Sequence, residues 1–146
     1  MERLVRWVMG RSFWSTQSRN SDGARVALWD RDIDRAKQSA ASLGKDAIAV
    51  QVDVTSEESV HQALAATEDQ LSPPDILVAS AGITGPNTTV VSYPVDAWRQ
   101  VIDINLNGVF WCCRAGGRHM LASGSGSIIN IGSMSGIIAN KPQPQS

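Results

Sequence analysis

The chain has 146 residues, of which 42% are apolar and 18% charged, and its formal net charge is -1. This length supports one domain with its own core and is too short for two. The near-neutral charge provides no basic field for nucleic acid or anionic lipid, and no stretch approaches the roughly 20 apolar residues of a membrane helix. We therefore expect a globular protein that binds neither nucleic acid nor membrane.

The cysteines and the N-terminus indicate the cellular compartment in which the protein resides. The only cysteines are the neighbours Cys112 and Cys113, which do not make a disulfide framework and are best interpreted as apolar fillers on a helix. The basic N-terminus is followed by no apolar segment of the kind that a secretory signal needs. These features predict a cytoplasmic protein.

Residues 1–23 differ in pattern from the rest of the chain. Leu4 to Met9 has the length of a strand, but Arg6 fits poorly in a sheet that is covered on both faces. The Ser- and Arg-containing stretch from Arg11 to Asp22 has neither a helical nor a strand period. We therefore divide the chain into an atypical N-terminal segment, residues 1–23, and a domain, residues 24–146.

From Ala24 onward, strand-like and helix-like segments alternate. Four short apolar runs predict buried strands, namely 25–29, 47–52, 75–79 and 127–131. Between them lie a helical pattern that Gly44 ends, a second that starts with a capping box at Thr55–Glu58, and a long third that begins near Pro94 or Val95. Short connections in this order imply parallel pairing with right-handed crossovers. The fold class is thus α/β, a doubly wound, Rossmann-like parallel sheet.

In such a sheet, ligands bind beyond the carboxyl ends of the strands. Asp30 ends the first clear strand, where a carboxylate accepts hydrogen bonds from the hydroxyls of an adenosine ribose and repels a 2′-phosphate, which favours NAD over NADP; Arg31 would offset this preference. Asp53, followed by Val54, ends the next strand, where a carboxylate can meet the adenine amino group. Each carboxylate can instead be a helix cap.

Further candidates follow the later strands. Ala79 to Gly82 are small residues that allow a flat ligand to approach the backbone closely, or simply form a glycine turn. Asn105 is polar on an otherwise apolar helical stripe, so its amide needs hydrogen-bond partners. Ser133 lies just past the fourth strand, where its hydroxyl can point into the cleft.

The order of these segments resembles the short-chain dehydrogenase/reductase family over roughly Gly23 to Gln145. The resemblance rests on five stretches of the sequence, which are ARVALWD (24–30), VDVT (52–55), DILVASAGI (75–83), WRQVIDINLNGVF (98–110) and GSIINIGSMSG (126–136). It implies an oxidoreductase that transfers a hydride between NAD(H) and a secondary alcohol or ketone. The serine-rich phrase GSMSG and the following NKPQPQ are similar to members that act on polyols or sugars.

The resemblance assigns roles to individual residues. Asp30 would be the NAD-selecting acid, Asp53 with Val54 the adenine contact, and Ala79, Ala81 and Gly82 the backbone contacts. Ala79 and Ser80 depart from the Asn-Asn-Ala-Gly of the family, so the asparagine side chains are lost there. Asn105 would anchor the proton relay and Ser133 would orient the substrate carbonyl, with Ser135 as the second candidate for that serine. No metal is implied, and dimers or tetramers form in the family through the helix that carries Asn105.

Two parts of the family's machinery are missing from the 146 residues. No G-x-x-x-G-x-G spacing occurs, so residues 1–23 stand where the family has its pyrophosphate-binding turn. The single tyrosine, Tyr93, is followed four residues later by Ala97, so no Tyr-x-x-x-Lys occurs either; the resemblance would put that pair shortly after Ser146. The alternative expectation is therefore an inactive truncated or frameshifted fragment, in which the strand 127–131 and Trp98 or Trp111 would be partly uncovered.

Overall fold

The structure, a computed structural model, describes residues 24–133 and the backbone of one strand nearer the N-terminus, Val5–Met9. Five strands and four α-helices lie within these residues. In chain order they are β1 (Val5–Met9), β2 (Arg25–Asp30), α1 (Ile33–Leu43), β3 (Ala47–Gln51), α2 (Glu57–Gln70), β4 (Ile76–Ala79), α3 (Val95–Ile102), α4 (Val109–Ser123) and β5 (Ser127–Asn130). A 3-10 turn spans Val90–Ser92, and a π-helical segment, Asp103–Gly108, joins α3 to α4.

The described strands form one parallel sheet in the order β3-β2-β1-β4-β5. This confirms the predicted doubly wound α/β class. The backbone of β1 pairs with both β2 and β4, so Val5–Met9 is the central strand despite the poor fit that Arg6 suggested. The division of the chain at residue 23 stays a prediction.

Two apolar layers cover the sheet. On one face, Val26 and Leu28 of β2 pack with Ala40 and Leu43 of α1. On the other, Ala27 and Trp29 pack with residues of α2 and α4. Alternate residues of β2 point to opposite faces, so a strand that is apolar throughout is buried on both sides, as its continuous pattern predicted.

The starts of the first two helices are fixed by side-chain caps. Asp32 accepts a hydrogen bond from the Arg35 N–H at 3.1 Å, and Ser56 accepts one from the Ser59 N–H at 3.2 Å. The predicted Thr55–Glu58 capping box is therefore wrong by one residue. The Thr55 hydroxyl donates to Asp53 at 2.7 Å instead, which leaves Ser56 as the cap.

Helices α3 and α4 and the π-helical segment between them form the long third helical region. The region begins at Val95, as predicted, and ends at Gly124, whose φ of 74° is left-handed. The sequence pattern did not predict the π-helical turns, which carry Asn105. Extra residues of this kind in a helix are frequent at functional sites.

Strand β5 forms one edge of the sheet. It pairs with β4, and within the described part of the chain it has no second neighbour. Ile128 is 39% exposed and Ile131, just past the strand, is 55% exposed. Trp98 on α3 is 57% exposed, so the described residues agree with the expectation that these surfaces are partly uncovered.

Candidate functional site at the carboxyl edge of the sheet

Asp30 lies at the carboxyl end of β2 and organises the turn into α1. One carboxylate oxygen accepts the Asp32 N–H at 3.0 Å, and the other contacts Arg35 Nη2 at 2.9 Å. The helix cap itself is Asp32, so the alternative role of Asp30 as the cap residue is wrong. Each oxygen keeps a further lone pair, and the side chain is 20% exposed. The carboxylate therefore remains able to accept hydrogen bonds from a diol.

The cation beside Asp30 is Arg35. The residue expected to offset the charge of Asp30 was Arg31. Asp30 instead bonds the backbone of Asp32, which turns the chain so that the first turn of α1 brings Arg35 back to the carboxylate. The Asp30 hydrogen bond raises the pKa of Arg35. No pattern in the sequence singles out this contact, because the spacing crosses a turn.

Asp53 lies just past β3 and closes a second turn. Its Oδ1 accepts from the hydroxyl of Thr55 at 2.7 Å and from the Thr55 N–H at 3.0 Å. The hydroxyl hydrogen bond, then the backbone bond, lowers the pKa of Asp53; the charge of Arg31 acts in the same direction. The carboxylate is therefore held ionised and oriented in the loop between β3 and α2.

Val54 joins this loop to the π-helical segment. A Cβ added at Gly108 would lie only 2.8 Å from Val54 Cγ2, so glycine allows the loop and the helix to approach closely. Gly108 is buried, while Val54 packs partly against the core. The segment that carries Asn105 is thus fixed against the loop that carries Asp53.

Asn105 holds the chain just past β4. Its Oδ1 accepts from the Ile83 N–H and its Nδ2 donates to the Ile83 carbonyl, both at 2.9 Å. The side chain is exposed rather than buried, but the prediction that its amide needs partners is met. It fixes the backbone that follows Ala79, Ala81 and Gly82, and a Cβ added at Gly82 would lie 3.5 Å from Asn105 Oδ1.

Ser133 lies just past β5, at the same carboxyl edge of the sheet as Ala79 to Gly82. β4 and β5 are parallel neighbours, with Ala79 opposite Asn130, and the Ile131 N–H donates to the Ala79 carbonyl at 2.8 Å. Ser133 itself is exposed. Its competitor, Ser135, lies outside the described residues, so the choice between them stays a prediction.

Both cysteines belong to α4. Burial raises the pKa of the Cys112 thiol to about 12. Cys113 is half-buried, and its thiol contacts Asn130 Oδ1 at 3.5 Å. The interpretation as a buried filler suits Cys112 and fits Cys113 only in part.

The described part of the chain contains neither a membrane-spanning helix nor a cluster of metal ligands. No helix within residues 24–133 is long and apolar enough to cross a membrane. Over the same residues, no group of three or more His, Cys, Asp or Glu side chains is arranged to hold a metal ion.

The sheet order defines a doubly wound α/β protein, a class in which ligands bind beyond the carboxyl ends of the strands. The profile of the short chain dehydrogenase family matches residues 16–145. The chain therefore belongs to the short-chain dehydrogenase/reductase family, whose members are oxidoreductases that use nicotinamide cofactors.

Individual relatives agree with this assignment. Galactitol 2-dehydrogenase (L-tagatose-forming) from Cereibacter sphaeroides is 42% identical over 125 residues, which cover 84% of this chain and 48% of that protein. The NAD(+)-dependent 2-dehydro-3-deoxy-L-rhamnonate dehydrogenase from Sphingomonas sp. (strain SKA58) is 40% identical, over 80% of this chain and 46% of that protein. Serine dehydrogenase in its closed form with NADP+ superposes with a TM-score of 0.86 at 26% identity, over 95% of this chain and 58% of that one.

The chain spans about half the length of the curated relatives that it matches. The neighbours include both an NAD(+)-dependent and an NADP+-bound protein, so the choice of cofactor depends on the residues of the site itself.

Proposed function

We propose that this chain is part of an NAD(H)-dependent oxidoreductase that interconverts a secondary alcohol and a ketone, with a polyol or sugar as the substrate class. The observation that carries the proposal is Asp30, a partly exposed carboxylate at the carboxyl end of β2, beside the central strand of a doubly wound sheet. The galactitol dehydrogenase supports the substrate class by similarity.

The residues present fit the adenosine end of a nicotinamide dinucleotide. Asp30 would accept hydrogen bonds from the ribose hydroxyls, and Asp53 with Val54 would lie against the adenine. The small residues Ala79, Ala81 and Gly82 leave room for a ligand above the end of β4. When bound, the nicotinamide ring supplies the hydride donor or acceptor.

The second half of the proposal concerns the substrate. The hydroxyl of Ser133 would donate a hydrogen bond to the substrate carbonyl oxygen and hold it in place. Asn105 would act by positioning, since its amide fixes the backbone of Ile83 beside the cleft. The small-molecule substrate would be the partner at this site, and homo-oligomers would form through the helix of Asn105 as in the family.

The 146 residues on their own would bind the cofactor weakly and would not turn over. They contain no Tyr-x-x-x-Lys to transfer a proton and no G-x-x-x-G-x-G turn for the pyrophosphate. An inactive fragment is therefore the second candidate for this polypeptide, and it is compatible with retention of the adenosine site.

Binding and turnover test the two parts separately. We expect ADP-ribose to shift NMR resonances of residues around Asp30 and Asp53, and Asp30→Ala to weaken that binding by about tenfold. The matched control is Asp34→Ala, which removes an exposed carboxylate from the first turn of α1. An equal loss in both variants would contradict the ribose contact. Robust reduction of NAD by the purified polypeptide with galactitol or related polyols would overturn the proposed inactivity.

A further inference from the structure

The loop between β4 and α3 is exposed along its length and closed at its base. Residues 84–92 are all exposed, whereas Ile83 and Tyr93 on either side of them are half-buried. The chain turns back at the 3-10 turn Val90–Ser92, where the Tyr93 N–H donates to the Val90 carbonyl at 3.3 Å. Compact surface loops whose ends lie close together are frequently functional.

Tyr93 closes the base of this loop by packing on Gly85. A Cβ added at Gly85 would overlap the hydroxyl oxygen of Tyr93 and lie 2.9 Å from its Cζ, so the tip of the ring rests on the glycine backbone. Val101 of α3 flanks the same contact, since its Cγ2 would lie 3.3 Å from that Cβ. The Trp98 ring meets Tyr93 edge to face, with the ring centroids 6.4 Å apart. The Tyr93 ring is therefore held between the loop and α3.

Gly85 is needed at this place for space and not for backbone conformation. Its φ is not in the left-handed region that alanine would avoid. An alanine methyl group would instead collide with the Tyr93 ring. The side chain of Tyr93 and the lack of one at Gly85 are thus two halves of a single contact.

A second contact holds the same segment two residues earlier. Asn105 bonds both backbone groups of Ile83 at 2.9 Å. Tyr93 comes before α3 and Asn105 after it, so the two ends of α3 each fix one point of the segment 83–85. One anchor leaves a chain free to pivot, whereas two anchors also define its direction. This direction is passed on to Ala81 and Gly82, which directly precede Ile83.

We propose that Tyr93 is a positioning residue for the backbone of Ala81 and Gly82, and that it acts through its seat on Gly85. The inference rests on the proposed function, since it assumes that the cofactor passes over the end of β4. A backbone that is already ordered lowers the entropic cost of binding. Loss of the Tyr93 ring should therefore weaken ligands that reach the end of β4 and spare ligands that are confined to the adenosine end.

Hydrogen exchange of the Ile83 amide measures how firmly the segment is held. In Tyr93→Ala we expect this amide to exchange about tenfold faster, because its bond to Asn105 opens more often. Tyr93→Phe keeps the ring and should stay within about threefold of wild type. The matched control is Val91→Ala, which removes a side chain that is 95% exposed in the same loop and should leave the rate unchanged. Amides of β2 report opening of the whole sheet and should exchange at wild-type rates in all three variants.

Gly85→Ala tests the contact from its other side. Its methyl group takes the place of the Tyr93 hydroxyl, so the ring must leave and the Ile83 amide should exchange about tenfold faster. In the Tyr93→Ala background the same change meets only Val101 and should add less than about twofold. Equal effects of Gly85→Ala in the two backgrounds would contradict the proposed contact.

Binding separates a positioning role from a merely structural one. Adenosine 5′-monophosphate and NAD are titrated into each variant, and Kd is measured from NMR shifts around Asp30. In Tyr93→Ala the Kd for NAD should rise by about fivefold, while that for the monophosphate changes by less than about twofold. Tyr93→Phe and Val91→Ala should leave both Kd values within about twofold of wild type.

Three results would count against the inference, and only the last of them touches the proposed function. If Tyr93→Ala accelerates exchange at Ile83 but changes the two Kd values equally or not at all, the positioning role is wrong and the proposed adenosine site stands. If exchange at Ile83 is unchanged, Tyr93 does not hold the segment and the positioning role is again wrong. If neither ligand shifts resonances near Asp30 in the wild type, the proposed adenosine site is wrong and the positioning role falls with it.

Discussion

At the scale of single residues, both strand-end carboxylates serve the local fold as well as the proposed site. Asp30 accepts from the backbone of Asp32, and Asp53 accepts from the backbone and hydroxyl of Thr55. Their positions were predictable, because an acid after an apolar run marks a strand end. Their partners were not: neither the Thr55 hydroxyl bond nor the Arg35 contact follows from a sequence period.

The turn at Asp53 predicts a pH dependence. Because the Thr55 hydroxyl bond lowers the pKa of Asp53, the ionised turn stabilises the fold above the unfolded pKa of about 3.9, and this contribution is lost as pH falls through the lower folded pKa. We expect Thr55→Val to raise the pKa of Asp53, measured by NMR titration of its side-chain carboxyl carbon. Loss of stability should then begin at a higher pH.

The control for this titration is Thr84→Val, which removes an exposed hydroxyl from a loop far along the chain. The pKa of Asp53 should be the same in this variant as in wild type. If Thr55→Val also leaves it unchanged, the hydroxyl is not the main cause of the lowered pKa.

At the scale of elements, the third helical region shows what periodicity can and cannot predict. Its start at Val95 followed from the pattern, but the π-helical turns did not, since one extra residue leaves the apolar spacing almost intact. The close approach of Gly108 to Val54 was also unpredictable, because it joins residues from two elements. The boundaries of the strands were predictable to within a residue or two. The central position of β1 was not, because it follows only from the pairing of β1 with β2 and β4.

Substitution by alanine should change the free energy of unfolding in opposite directions at two glycines of this helical region. Gly108→Ala puts a methyl group 2.8 Å from Val54 Cγ2, so we expect a loss of about 1–2 kcal/mol in the free energy of unfolding. In Gly117→Ala the added methyl group lies 3.8 Å from Ile128 Cδ1, which is an ordinary contact. This substitution should therefore stabilise the helix by about 0.5–1 kcal/mol. Urea denaturation of both variants measures the difference.

The decisive result is whether the two changes in the free energy of unfolding have opposite signs. A gain in both variants would mean that Val54 moves away at little cost and that the loop is not held tightly against the π-helical segment. Chemical shifts of Asp53 and Thr55 in Gly108→Ala would locate any movement, because both residues flank Val54.

At the scale of the whole molecule, the described sheet has a well-covered centre and an open edge. The strands beside β1 are buried on both faces by α1, α2 and α4. β5 pairs on one side only within the described residues, and apolar side chains there are accessible. A free edge with apolar neighbours is a template for pairing with another chain.

The open edge predicts that the 146-residue polypeptide associates through β5. A positive charge at an edge disfavours strand pairing, so Ile131→Lys should lower the weight-average mass measured by light scattering over a concentration series. The matched control is Val91→Lys, which replaces an aliphatic residue that is 95% exposed in the 3-10 turn Val90–Ser92, outside the sheet. If both variants reduce association equally, general surface hydrophobicity is the cause. If only Ile131→Lys does so, edge pairing accounts for the association, because the two substitutions add the same charge and only Ile131 directly follows β5.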